Sequence, residues 1–380
     1  MKRIYLDHNA TTPLRPEVAA VMRRYLEEVF GNPSSLHAFG QEAREGVEQA
    51  RAVLAGALGC APEEVCFTSG GTEADNWALR GAIQAGGRVV TTAIEHHAVW
   101  HTCQDLERHG CRVAYARVDS HGVVDPDEVG RLLGERTALV SVMHANNETG
   151  SIQPVEQIGG LARARGALFH VDAVQTFGKL PVRVDELNAD LVSISAHKIN
   201  GPKGVGALYI RQGTRIAPWA HGGGHEGNRR AGTENVAGIA AFGKAAELSL
   251  AEREAHQRQI GRLRDRLQEG LLATIGAAKV NGHPQQRLAN TLNLSFRGVE
   301  AEAVVLGLDL EGVAVSSGSA CSSGSAEPSH VLLAMGLEPR LAASAVRFSL
   351  GWGNTEEEVD RVVEVLPGIV RRLRELSVFS

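Results

Sequence analysis

The chain has 380 residues, a 43% hydrophobic composition sufficient for a large core, and a formal net charge of −5 with acids and bases interspersed, which excludes the basic stripe of a nucleic-acid binder. Five cysteines, at 60, 66, 103, 111 and 321, show no CxxC spacing, which argues against a zinc or dithiol site and for a reducing compartment. The opening MKRIYLDHNATTP has no apolar signal region and no stretch nears the ~18 apolar residues of a membrane helix, so the expectation is a cytoplasmic protein acting on small molecules and proteins, with no direct nucleic-acid or membrane contact.

In chain order, apolar runs alternate with segments of helical period. EEVCFTSG reads as a strand and TEADNWALRGAIQ as the helix after it. GRVVTTAIEH, CRVAYARVD, TALVSVMHAN, GALFHVDA and ADLVSISAH repeat the strand pattern, and AVWHTCQDLERHG, PDEVGRLLGE and PVEQIGGLARARG fill the gaps as helices. Strand and helix thus alternate from about residue 64 to 210, which predicts an α/β fold with a mainly parallel sheet flanked by helices. In such sheets ligands gather beyond the carboxyl ends of the strands. From 235 to about 275 the chain reads as one long helical stretch, leading through mixed strand and helix into a second, smaller domain. One stretch, SSGSACSSGS at 316–325, stands apart in composition, setting Cys321 among serines and glycines.

The strand ends carry the chemistry. Gly70, Gly71, Thr72 and Glu73 open a helix with small residues and a hydroxyl, suited to an oxyanion such as phosphate; taken alone the signal is weak, and an ordinary glycine turn with Thr72 as N-cap is the plainer reading. GALFHVDA ends in Asp172, with Gln175 three residues on, and a buried strand-end acid calls for a cation opposite it. ADLVSISAH ends in Ser195, His197 and Lys198, a lysine placed to lose its proton on desolvation and act as a nucleophile. An amine for a Schiff base, an acid to keep a ring nitrogen protonated and a phosphate cup are the three groups pyridoxal 5′-phosphate requires. His96 adds an imidazole able to stack on a planar ring or move protons. His97 and His101 stand four apart, a metal-holding spacing, but no acidic third ligand accompanies them and no metal is expected.

YLDHNATTP, FGNPSSLH, FTSGGTEADN, MHANNETG, HVDAVQ, SAHKINGPKG, RRAGTEN, SSGSACSSGS, EPSHVL and VRFSLG, in this order, resemble the cysteine desulfurases of the NifS and IscS type, within class V of the pyridoxal-phosphate aminotransferases. The similarity spans residues 4 to 377. It implies the fold type I of pyridoxal-phosphate transferases, with a large cofactor-binding α/β domain over 16–250 and a smaller α+β domain made of 1–15 and 251–380 that carries a mobile Cys321 loop. By position, Lys198 would carry the cofactor, Asp172 would pair with its ring nitrogen, and His96 would stack over the ring. Gly71, Thr72, Ser195 and His197 would hold the phosphate, Asn147 and Gln175 the ring hydroxyl, and Thr233 the phosphate of a neighbouring subunit in a homodimer. Arg347, helped by Asn147, would grip the substrate carboxylate.

The activity the resemblance implies is removal of sulfur from L-cysteine, giving L-alanine and a persulfide on Cys321 for an iron–sulfur scaffold or another sulfur-acceptor protein. Lys198 would remove the α-proton, and His96 would serve proton transfers. Ala196 and His97 depart from the usual family residues, at positions without an assigned role. Ser195–Lys198 also fits SxxK, but the accompanying SDN and KTG elements are absent; GIAAFGK at 238–244 imitates a phosphate loop inside a helical stretch. The near alternatives are a selenocysteine lyase or another class V aminotransferase, neither of which needs Cys321.

Overall fold

The computed structural model describes residues 3–83, 87–317 and 328–376. Its elements run in the order β1 (Ile4–Tyr5), α1 (Pro16–Glu27), α2 (Ala38–Leu58), β2 (Val65–Thr68), α3 (Gly71–Ala82), β3 (Arg88–Thr92), α4 (His97–Arg108), β4 (Arg112–Ala116), α5 (Pro126–Leu132), β5 (Thr137–Met143), α6 (Val155–Ala164), β6 (Leu168–Asp172), β7 (Leu191–Ser195) and β8 (Gly206–Ile210). There follow α7 (Val236–Thr274), β9 (Ala278–Asn281), β10 (Thr291–Phe296), α8 (Ala301–Leu310), β11 (Val313–Ala314), β12 (Ser316–Ser317), α9 (His330–Ala334), α10 (Pro339–Ala342), β13 (Ala345–Ser349) and α11 (Glu356–Leu376).

Seven strands form one sheet in the order β2-β8-β7-β6-β5-β3-β4. The β4, β3, β5, β6 and β7 neighbours pair in parallel, as the strand–helix alternation predicts; β8 runs antiparallel to both β2 and β7 and is the one strand against the rest. The sheet is therefore mixed. Only a 3-10 turn at Ala196–Lys198, and no α-helix, separates β7 from β8, so the short return between them yields the opposite direction.

Both faces are covered. Val140, Val142, Phe169, Val171, Val192 and Ile194 pack into one apolar cluster with Leu54 of α2, Ile158 of α6 and Phe242 of α7. On the other side Leu139, Leu191 and Leu208 meet Trp77 and Leu79 of α3 and Val99 of α4. Near-continuous apolar strands are what a sheet buried on both faces requires.

A second sheet, β12-β13-β10-β9, is wholly antiparallel and packs on a separate apolar cluster built from Leu267 and Leu271 of α7, Val304 of α8, Phe348 of β13 and Leu366 of α11. The single 39-residue helix α7 thus feeds both cores, Phe242 into the first and Leu267 into the second. β1 pairs in parallel with β11, and Asp7 forms a further bridge to Ser349, so the N-terminal segment rides on the second sheet before crossing to the first. Ser316 and Ser317, the first two residues of the Ser/Gly stretch, extend the second sheet against Arg347 and Val346. Among the described residues no helix is long and apolar enough to cross a membrane.

Candidate active site

The carboxyl ends of β2, β5, β6 and β7, with the N-terminal segment Asn9–Thr11, enclose a cleft of about 540 Å³. Gly71, Thr72, His96, Asn147, Asp172, Gln175, His197, Lys198 and Arg347, all singled out from the sequence, line it. Two of the predicted residues lie elsewhere: Ser195 sits just behind the lining at the end of β7, and Thr233 is exposed and outside the cleft. Cys321 lies outside the described residues.

At one end of the cleft is the start of α3. Gly70 is the N-cap, with φ +154° and no side-chain capping bond, so Thr72 is the second helical residue and not the cap. Ala74 is the first residue whose N–H bonds back into the helix, to Gly70 O at 3.1 Å, which leaves the preceding N–H groups pointing out of the helix end. A Cβ on Gly71 would come within 2.7 Å of a Val174 methyl and 3.7 Å of Ser195 Cβ, so the backbone closes here to a distance that suits only glycine. The Ser195 Oγ is buried without a hydrogen-bond partner. A hydroxyl orphaned beside a helix N-terminus, with His197 across the cleft, is a donor set that fits a phosphate. Burial and the neighbouring Lys198 push His197 down to about 4, so its imidazole is neutral; Nδ1 pairs with Thr11 Oγ1 at 3.2 Å, and where it accepts from that hydroxyl the Nε2–H is left to donate.

At the other end, Asp172 closes β6. Its Oδ1 accepts from the Val174 N–H at 2.9 Å, while burial raises its proton affinity to about 6 against the opposing pull of Lys198. Such an acid is held ready for a cationic partner. The Lys198 Nζ donates to the carbonyl oxygens of Asn9 and Ala10 at 2.5 and 2.8 Å, which aims the amine across the cleft from Asp172.

His96 caps α4 by accepting the Ala98 N–H at Nδ1, 3.1 Å away. An acceptor at Nδ1 leaves the neutral ring with its proton on Nε2, so His96 offers the cleft an N–H. Burial, then the nearby Lys198 and more weakly His97, His330 and Arg347, hold its pKa down to about 4, which opposes a second proton.

Arg347, on β13, is 2% exposed and reaches the cleft from the second sheet. Its Nη2 donates to Asp7 Oδ1 at 2.8 Å and its Nη1 to Asn147 O at 3.1 Å, while Nε is buried without a partner. The guanidinium is fixed on two sides and keeps a donor for an incoming carboxylate.

Several residues of the site have no local signal in the sequence. Asn9, 1% exposed, donates from Nδ2 to Asn147 O and Thr291 Oγ1, accepts Asn290 Nδ2 at Oδ1, and offers its carbonyl to Lys198 and to Gln175 Nε2. Lys179 donates to Gln175 Oε1 at 3.3 Å, and Glu73 of the α3 start holds Arg230 through two contacts of 2.9 and 3.3 Å. Each matching motif was visible, but which members pair across it is set by the fold. Among the described cysteines, burial raises the thiols of Cys60 and Cys66 to about 12 and that of Cys103 further, which disfavours the reactive thiolate at all three.

The class-V aminotransferase family profile matches residues 4–362. Cysteine desulfurase IscS of Methanosarcina thermophila is 50% identical over 380 residues, covering 99% of this chain and 94% of the relative. Cysteine desulfurase IscS of Dictyoglomus turgidum is 49% identical over 385 residues, covering 100% of this chain and 98% of the relative. Among solved structures, a NifS-like protein superposes with a TM-score of 0.92 at 40% identity, over 98% of this chain and 100% of that one. A structure described as SspA in complex with cysteine gives 0.82 at 33% identity, over 92% and 99%. With the profile match, near-complete coverage and half of all residues identical, this chain belongs to the class-V aminotransferase family, on its NifS and IscS branch.

Proposed function

We propose that the chain is a pyridoxal-phosphate-dependent cysteine desulfurase that converts L-cysteine and the Cys321 thiol into L-alanine and a Cys321 persulfide. The observation that carries this reading is where the described chain leaves and re-enters around residues 318–327. Ser316 stands in register with Arg347, and Ser329 donates from Oγ to Glu148 Oε2 at 2.5 Å, next to Asn147. Both attachment points lie on the rim of the cleft. Cys321 is four residues beyond Ser317, a stretch that spans at most ~14 Å when fully extended, which supports its assignment as the sulfur acceptor.

Bound in the cleft, pyridoxal 5′-phosphate supplies an electron sink that weakens the bonds at the α- and β-carbons of an attached amino acid. Gly71, Thr72, Ser195 and His197 hold its phosphate in this reading, Asp172 its ring nitrogen, and Asn147 and Gln175 its ring hydroxyl. Arg347 orients the substrate by its carboxylate. Lys198 takes the α-proton, its amine already directed by the Asn9 and Ala10 carbonyls. The Nε2–H of the neutral His96 ring donates a hydrogen bond to the substrate sulfur. At Cys321 a sulfur–sulfur bond forms as the carbon–sulfur bond of the substrate breaks; the carbon fragment takes a proton and departs as alanine.

Thr233 is exposed and lies outside its own cleft, which supports its assignment to the site of a second copy in a homodimer. The separate apolar clusters of the first and second sheets support a division into a large unit over 16–250 and a smaller one of 1–15 with 251–380. Delivery of the persulfide sulfur to an iron–sulfur scaffold or a similar acceptor, in the cytoplasm, completes the reading.

The test is an alanine assay on the cofactor-loaded protein. Cys321→Ser should end cysteine-dependent sulfide and alanine formation with the cofactor absorption intact, whereas Lys198→Ala should lose the borohydride-reducible cofactor linkage. Full activity in Cys321→Ser refutes the persulfide step.

A further inference from the structure

The cofactor reading assigns the two ends of pyridoxal 5′-phosphate to different elements, the start of α3 for the phosphate and the end of β6 for the ring nitrogen. On that reading, whatever fixes α3 against β6 sets the distance the cofactor must span. One contact between them involves a side chain with no role in the chemistry above.

Asp75 lies on α3, three and four residues after Thr72 and Gly71 and so one turn behind them on the same side of the helix. It is 1% exposed, lines the cleft, and its Oδ1 has no hydrogen-bond partner. That oxygen stands 3.6 Å from Nε2 of His170. His170 is fully buried on β6, two residues before Asp172 and therefore on the same face of the strand. Its ring is held from both neighbouring strands, with Ser141 Oγ of β5 at 2.8 Å from Nδ1 and Ser193 Oγ of β7 at 2.9 Å from Nε2. An imidazole pinned across three strands is a rigid seat for a carboxyl arriving from the helix.

A buried acid without a full set of partners costs stability, and an apolar side chain would fill the place at less expense. Such a group calls for a functional explanation. We infer that Asp75, seated on His170, is a positioning residue that ties the phosphate end of the cofactor site to its ring-nitrogen end and sets the local field in which Asp172 works.

The charges around it agree. Asp75 faces His170 and Asp172 from β6, Ser193 from β7, and Glu95 from the turn between β3 and α4. Burial and then Asp172 raise its proton affinity well above the usual carboxylate range, against an opposing bond from Ser193. Burial and the mutual repulsion of Asp75 and Asp172 oppose ionising both together. Lys198 favours the ionised form of Asp172, which in turn favours the protonated form of Asp75. Burial keeps His170 neutral, near 3, so it adds no cation to the pair.

A neutral carboxyl has nearly the shape of a carboxamide, which yields the test. In the cofactor-loaded enzyme, Asp75→Ala should weaken retention of pyridoxal 5′-phosphate by about tenfold or more and shift the pH midpoint of the bound cofactor's visible band, while Asp75→Asn should restore retention to within about threefold of the parent. Unchanged retention or an unmoved midpoint in Asp75→Ala overturns the inference, as does an Asn variant as impaired as the Ala variant. Melting of the cofactor-free proteins identifies a general loss of structure. Should Asp75→Ala not fold, His170→Asn replaces it under the same criteria, with loss of retention expected and parental retention fatal. A parent chain that binds no pyridoxal 5′-phosphate would instead refute the reading on which the inference rests.

Discussion

Arg347 Nη2 lies 2.8 Å from Oδ1 of Asp7, a carboxylate 340 residues earlier in the chain. The pair joins β13 to the segment that follows β1, and it holds the guanidinium before any substrate arrives. Because Arg347 is 2% exposed and Asp7 19%, the pair is only partly screened by water.

Loss of that anchor should appear in binding more than in turnover. Asp7→Asn leaves the hydrogen-bonding shape but removes the charge, at a cost of ~1–2 kcal/mol in holding the guanidinium, equivalent to a rise of about tenfold in KM for cysteine. Steady-state kinetics should show kcat within about threefold of the parent, the pattern of lost uniform binding. An unchanged KM would show that Asp7 does not prepare Arg347.

Glu148 supplies a stability test with a defined sign. Burial lifts its carboxyl from 4.5 to about 7, despite the Ser329 hydrogen bond and nearby Arg347. The unfolded chain therefore ionises first, so the contribution of this group is intact below about pH 4.5 and is lost as pH rises through about 7. Glu148→Gln should be more stable than the parent at pH 8 by ~1–3 kcal/mol and equal to it at pH 4, as read by denaturant unfolding of the cofactor-free proteins. A gain that is the same at both pH values contradicts the assignment.

Asn9→Ala removes the side chain that holds Asn290, Thr291 and the Asn147 carbonyl, but leaves the main-chain oxygen that accepts from Lys198. Orphaning those buried groups should lower stability by ~2–4 kcal/mol while the bound cofactor retains its absorption. Thermal and denaturant melts, with the spectrum as control, decide it; a change under ~0.5 kcal/mol would mean that the hub is redundant.

The local pattern carried much of this. Glycine and hydroxyl residues ahead of TEADNWALRG, an acid closing GALFHVDA and a lysine after ADLVSIS were legible because a strand end presents its last residues to one place. Elements 88–92, 137–143, 168–172 and 191–195 follow directly from their apolar runs. The direction of β8 was not legible, since an apolar run has no polarity and only the short connection from β7 reverses it. The extension of the second sheet by Ser316 and Ser317 was hidden too, since their pairing with β13 opposes what serine-rich composition suggests.

The sequence by itself determined which chemical groups are present and which strands and helices present them, because propensity and periodicity act over a few residues. Only the tertiary structure decided their pairing: Asp7 with Arg347, Asn9 with Asn290, Ser329 with Glu148, Asp75 with His170. Those contacts form between elements tens to hundreds of residues apart, where burial makes a polar group's partner matter and nothing in the neighbouring sequence records which partner it finds.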